Sequence, residues 1–173
     1  MISSKVQDAL NDQIAAEFYS AHLYLSMSAY LESVDLPGCA NWMRVQYQEE
    51  ISHAERIFDH VIERDGRAAV KPFDAVPGEW KSVLEVFERA FQHEQKVTGL
   101  INDLVDLSLS EKDHATHSFL QWFVNEQVEE EASVKAVVQQ LKLLGDSKAG
   151  LFQIDRELGQ RVFTAPAAAE PGA

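Results

Sequence analysis

A single cysteine, Cys39, removes whole classes of protein at once. One thiol excludes an internal disulfide scaffold, a CxxC iron–sulfur site and a rubredoxin-type centre, and is read as a small buried residue. Long hydrophobic runs are missing as well. No segment approaches the roughly 20 consecutive apolar residues that span a bilayer, and Met1-Ile2-Ser3-Ser4-Lys5 lacks the basic-then-apolar pattern of a secretory signal. The expectation is a soluble, cytoplasmic protein with no membrane partner. Basic charge is scarce: 15 Lys and Arg stand against 28 Asp and Glu, a net charge of −13. A phosphate backbone needs a basic face, so no nucleic acid is expected as partner, and cations are the natural guests.

Proline and glycine are thinly spread, and their absence outlines the elements. From Ser4 to about Ser33 there is neither, and Val6, Leu10, Ile14, Phe18, Ala21, Leu25 and Leu31 recur at helical spacing. That predicts helix A, capped by Ser3 or Ser4. Helix B is expected from about Cys39 to Asp65 with Gly66 as its stop, helix C from about Trp80 to Leu109, and helix D from about Lys112 to Leu144. Ser110 and Asp113 offer capping oxygens between C and D, and Gly145 ends D. A shorter helix E is expected from Ser147 to about Val162, weakened by Gly150 and Gly159. The chain is long enough for one domain, taken as residues 1–163, and residues 164–173, with Pro166 and Pro171, are expected to be a disordered tail.

Connection lengths give the topology. The A–B and C–D joints span only a few residues, so each pair is an antiparallel hairpin. The irregular stretch between B and C, about 14 residues holding Pro72, Pro77 and Gly78, can extend to roughly 45 Å. A 28-residue helix is about 42 Å long. The connection can therefore run the length of the bundle and make B and C parallel. The predicted fold class is all-α: a four-helix bundle with a long B–C crossover and a short fifth helix at the C-terminus.

Chemistry concentrates at one level of that bundle. Glu50-Ile51-Ser52-His53 puts a carboxylate and an imidazole at i and i+3, on one helix face. Glu17 lies about 16 residues before the A–B turn and Glu50 about 12 after it, a difference in height of roughly 6 Å. Glu94, about 15 residues before the C–D turn, faces Gln127 and Glu130, about 15 to 18 after it. Four helices thus bring carboxylates to mid-bundle, where they can bridge and neutralise two cations; an added imidazole suits iron. In this reading Glu50 bridges, Glu17 and His53 complete one iron, Glu94 and Glu130 complete the other, and Gln127 orients dioxygen or water. Such a pair can bind dioxygen and deliver one electron from each Fe(II).

Neighbouring residues carry weaker signals. Glu49, Glu126 and Glu129 form a second acidic group, which is either a solvated face or a third cation position. Tyr24, seven residues after Glu17, is either a core tyrosine or close enough to donate an electron or a hydrogen bond to a ligand. Glu111-Lys112-Asp113-His114 copies the Glu-x-x-His spacing, but falls at the end of the bundle and is read as solvated surface. His22, His60 and His93 are expected not to be ligands, and Trp42, Trp80 and Trp122 to pack in the core or at subunit contacts.

At these residues the chain resembles the ferritins over about residues 4 to 162, and the non-haem bacterial ferritins most closely. The likeness rests on Leu10-Asn11-Asp12-Gln13 and Glu17-Phe18-Tyr19-Ser20, Gln48-Glu49-Glu50-Ile51-Ser52-His53, His93-Glu94-Gln95, and Phe119-Leu120-Gln121-Trp122-Phe123-Val124-Asn125-Glu126-Gln127. The resemblance implies a ferroxidase centre at Glu17, Glu50, His53, Glu94, Gln127 and Glu130, an accessory third iron site at Glu49, Glu126 and Glu129, and Tyr24 beside it. It also implies a homo-oligomeric shell of 24 subunits that oxidises Fe(II) with O2 or H2O2 and stores ferric mineral, with helix E lining the fourfold axes. The chain departs from the haem-binding bacterioferritins, where a methionine follows the bridging glutamate; Ile51 stands there, and no haem is expected. His117 and Leu120 replace the carboxylates that line the threefold channel of animal heavy chains. A rubrerythrin-like di-iron peroxidase is the alternative, disfavoured by the lone cysteine and the lack of a second Glu-x-x-His near the site. A DNA-protecting mini-ferritin is disfavoured by helix E and the absence of a basic tail.

Overall fold

A computed structural model describes residues 2–164 and consists there of five helices without strands: α1 Ser4–Ser33, α2 Pro37–Glu63, α3 Val83–Ser110, α4 His114–Leu144 and α5 Lys148–Leu158. Most of the proposed tail lies outside the described residues. Among the described residues no helix is long and apolar enough to cross a membrane.

Helix ends follow local chemistry, and it moves several expected boundaries. Ser3 Oγ accepts from Val6 N and Asp113 accepts from Thr116 N, so α1 and α4 begin at side-chain caps. α2 starts earlier than expected, because Pro37 and Gly38 form its first turn, where a proline forfeits no intrahelical bond. α3 starts later: Ser82, not Trp80, opens it, with Ser82 Oγ accepting from Glu85 N at 3.1 Å. α5 stops at Leu158, short of Val162, because Gly159 is its C-cap. Gly66 is not the residue that turns α2. Asp65 takes the left-handed conformation (φ +57°), and the Gly66 amide then reaches back to the Val61 carbonyl at 2.9 Å. Asp35 after α1 and Lys112 after α3 do the same at φ +60° and +56°.

Contacts between side chains fix the directions. Gln46 meets Glu130, His60 meets Thr116 and Arg64 meets Asp113, so α2 and α4 run antiparallel. α1 is antiparallel to α2, where Ser28 bonds Ala40 O, and antiparallel to α3, where Ser20 meets His93 and Asp12 and Leu100 line one cavity. Hence α2 and α3 are parallel, joined by the long crossover. That connection is laced to α1. Buried Asn11 donates to Arg67 O and accepts from Ala69 N, Lys71 pairs with Asp12 at 2.6 Å, and Ser26 bonds Pro77 O.

The core falls into two apolar clusters. One gathers Tyr24, Met27, Leu31, Trp42, Met43, Phe87, Val134 and Leu141; the other gathers Leu10, Ile14, Ile57, Val61, Val97, Ile101, Leu120 and Phe123. Between them each of α1 to α4 contributes buried polar residues: Glu17 from α1, Gln46, Glu50 and His53 from α2, Glu94 from α3, Gln127 and Glu130 from α4. α5 docks across the start of α2. Asp155 Oδ1 accepts from Cys39 N at 2.8 Å, placing a carboxylate at the positive end of α2. The approach is so close that a Cβ on Gly38 would fall 1.6 Å from the Asp155 carbonyl oxygen.

Candidate metal centre

Seven polar side chains in a dry layer must satisfy one another or something else. Glutamines do part of this work. Gln13 Nε2 donates to Glu17 Oε1 at 2.8 Å, Gln46 Nε2 to Glu130 Oε2 at 2.7 Å, and Gln127 Nε2 to Glu94 Oε2 at 3.1 Å. Tyr24 adds a phenol donor to Glu94 Oε1. Gln13 and Gln46 escaped the sequence reading, although each sits four residues before a site glutamate on a face otherwise apolar.

The remaining lone pairs find no donor. Glu17 Oε2, Glu50 Oε2 and His53 Nε2 are buried without a hydrogen-bond partner. Glu17, Glu50, Glu94 and Glu130 are 1%, 2%, 0% and 4% exposed, and among the described residues no lysine or arginine forms an ion pair with any of them. Burial, with the charge of Glu130 behind it, pushes the Glu94 carboxyl up to about 8. Burial and neighbouring Glu49 push Glu130 up to about 7. Glu50, buried beside Glu94, Glu17 and Glu130, is held well above the usual carboxylate range. Cations of matching charge would remove this penalty.

Ligand atoms gather in two overlapping groups. Glu17, Glu50 and His53 each offer an atom within 4.8 Å of the others, and so do His53, Glu126 and Glu130. His53 stands between them, with Nδ1 3.5 Å from Glu50 Oε2 and Nε2 4.0 Å from Glu126 Oε1. Glu94 belongs to neither triad and is drawn toward Tyr24 and Gln127. Gln127 itself bonds Glu94 Oε2, Glu94 O and Thr98 Oγ1, which makes it a support for Glu94.

The second acidic group is not assembled as its spacing suggests. Glu126 joins His53 and Glu130, Glu129 is exposed, and Glu49 is taken by Arg161, whose Nη2 lies 2.7 Å from its Oε2. The physical reasons are a one-residue rotation of Glu129 away from Glu130 and a guanidinium brought in from the far end of the chain. Nothing in the sequence near Glu49 announces that partner. Of the other singled-out residues, Glu111 pairs with Lys5 and Asp113 with Arg64 at the bundle end. His60 stacks on Phe119 and meets Thr116, and His93 meets Ser20.

The family model for a ferritin-like domain matches residues 7–144. A bacterial non-heme ferritin of Bacteroides fragilis (strain 638R) is 51% identical over 161 residues, covering 93% of this chain and all of that protein. One from Staphylococcus aureus (strain MRSA252) is 36% identical over 163 residues, covering 94% and 98%. Among solved structures, a closed form of Archaeoglobus fulgidus ferritin engineered by site-directed mutagenesis matches with TM-score 0.94 at 51% identity, covering 95% of this chain and 100% of that one. The open-pore ferritin of the same archaeon matches with TM-score 0.93 at 51% identity, covering 94% and 100%.

Proposed function

The chain belongs to the ferritin family, and from that premise we propose that it stores and detoxifies iron as a ferroxidase, with Fe(II) as its substrate. The observation that carries the reading is the set of four buried carboxylates, Glu17, Glu50, Glu94 and Glu130, none of which is paired with a lysine or arginine among the described residues. Two divalent cations supply that balance.

In this reading Glu17, Glu50 and His53 hold one Fe(II), and Glu94 and Glu130 hold the other with Glu50 between them. Gln13, Gln46 and Gln127 fix the carboxylates from outside, so little reorganisation is needed when iron arrives. Each Fe(II) gives one electron, O2 takes both and leaves with two protons as H2O2, and the Fe(III) ions move on toward mineral. Tyr24, wholly buried and held protonated by burial and by Glu94, keeps Glu94 in place during turnover. The reading extends to a cytoplasmic homo-oligomeric shell, proposed as a 24-mer, whose acidic chains draw Fe(II) inward.

Titrating the purified protein with Fe(II) in air tests this. Saturable fast oxidation, with hundreds of irons retained on a particle of shell mass, supports storage. A particle of one or two subunits with a small fixed iron count removes it.

A further inference from the structure

Arg161 lies three residues beyond α5, yet its guanidinium reaches Glu49 in the second acidic group, on α2 and α4. It pairs with Glu49 at 2.7 Å and lies over the Trp42 ring with its central carbon 4.5 Å from the centroid. Asn41 Nδ2 donates to the Arg161 carbonyl oxygen at 2.9 Å, which pins the backbone as well. Asn41, Trp42 and Glu49 share one stretch of α2, with Glu49 two turns beyond Trp42 and so on its face. Stacking, backbone bond and ion pair all set one guanidinium on one carboxylate.

We propose that Arg161 is a resident cation that closes Glu49 against metal, so that a third ion binds at Glu49, Glu126 and Glu130 only when the guanidinium leaves. The inference rests on the two-ion reading of the neighbouring centre and adds a control to it. Two observations and one property of arginine favour an occupant that can be displaced. Arg161 Nη1 is buried with no hydrogen-bond partner, so the clamp is incomplete. Among the described residues neither Glu126 nor Glu130 forms an ion pair with a lysine or arginine; Glu126 has only His53 Nε2 at 4.0 Å, and that nitrogen is buried without a hydrogen bond, so the carboxylates beside Glu49 still ask for positive charge. An arginine stays charged at any working pH, so the guanidinium does not leave by losing its own proton, and a cation that competes for Glu49 can displace it.

Linkage gives the consequence at a distance. If a third ion expels Arg161, the segment behind α5 loses its hold on α2, and any contact that fixes that segment must weaken the third ion by the same factor. Occupancy of the place at Glu49, Glu126 and Glu130 and order at the end of α5 become two readings of one equilibrium.

Zn(II), which does not undergo the redox step, is the probe. The full-length assembled protein, stripped with chelator, is titrated by calorimetry while deuterium exchange is followed in residues 159–164. The wild-type protein should show two tight steps per subunit and a third at least tenfold weaker, with exchange in 159–164 rising only at the third. Arg161→Gln should tighten the third step about tenfold or more, leave the first two within about threefold, and show fast exchange from the start. Asn41→Ala, which keeps the charge and frees the backbone, should move both readouts the same way by less. A third step that stays within twofold in Arg161→Gln, or exchange that ignores the third ion, overturns the proposal while the two-ion reading stands. Absence of the two tight steps in the wild-type protein overturns that reading as well.

Discussion

Tyr24 on α1 donates its phenol hydrogen to Glu94 on α3, joining two helices inside the polar layer. Tyr24 is 0% exposed, and no water competes for that bond. Tyr24→Phe keeps the ring and removes the donor, leaving Glu94 to Gln127 alone. Fe(II) oxidation is expected to slow several-fold with Zn(II) stoichiometry unchanged. Stability should fall by about 1–2 kcal/mol, the usual cost of a lost buried hydrogen bond. Stopped-flow absorbance and chemical denaturation read the two effects; a stoichiometry that falls with the rate would make Tyr24 part of ion binding.

Carboxyls raised by burial make the chelator-stripped protein sensitive to alkali. Glu94 titrates at about 8 and Glu130 at about 7 in the folded chain, against about 4.3 unfolded. Between those limits the folded state holds more protons than the unfolded one, so stability is greatest below about pH 4.3 as far as these groups decide it, and falls as pH rises toward 8. Glu94→Gln should therefore be more stable than wild type at pH 8, on the order of 3 kcal/mol, with the gain shrinking toward pH 5. Thermal melts in chelator at several pH values check the sign.

Position, more than motif, separates the buried Glu50-x-x-His53 from its copy at the end of the bundle. Glu50→Gln and His53→Ala should each lower the initial oxidation rate by at least about 100-fold, a loss near 3 kcal/mol in barrier terms. His114→Ala, at the exposed start of α4, should stay within twofold. Equal loss at His114 would place the chemistry at the bundle end.

Gly38 is where α5 touches α2 without room for a methyl group. Gly38→Ala must push the Asp155 backbone away and strain the bond from Cys39 N. A loss of about 1–3 kcal/mol is expected, the range for overpacked sites. Faster deuterium exchange across Lys148–Leu158 should accompany it, with α3 and α4 unaffected; uniform loss of protection would show that α5 is not a separate unit.

Four long helices and their crossover were legible because, Gly99 inside α3 apart, Gly and Pro fall at helix ends or in the connections, and the apolar spacing is helical throughout. The level of Glu17, Glu50, Glu94 and Glu130 was legible for a simpler reason: counting residues from a turn measures height. What could not be read was lateral detail. Trp80 looked like a helix start on apolar spacing, but the cap at Ser82 decided it. Gly66 looked like the stop of α2, yet Asp65 carries the left-handed turn. Glu49 and Glu129 looked like partners of Glu126, and one is held by Arg161 while the other faces outward. Arg161 acts 112 residues away in sequence, through a contact that only tertiary packing creates.

The acidic layer between two apolar clusters also decides how the helices align. Sliding any one of them by a single turn, about 5.4 Å, would carry a glutamate into hydrocarbon on one side and draw a leucine or phenylalanine among carboxylates on the other. Apolar faces alone tolerate such slippage, since one greasy stripe fits another at several offsets. A buried carboxyl group does not tolerate it, because the shifted arrangement takes it away from the glutamine and tyrosine donors that satisfy it. The residues suited to capturing metal thus serve a second purpose before any metal arrives: they leave the bundle a single register in which to close.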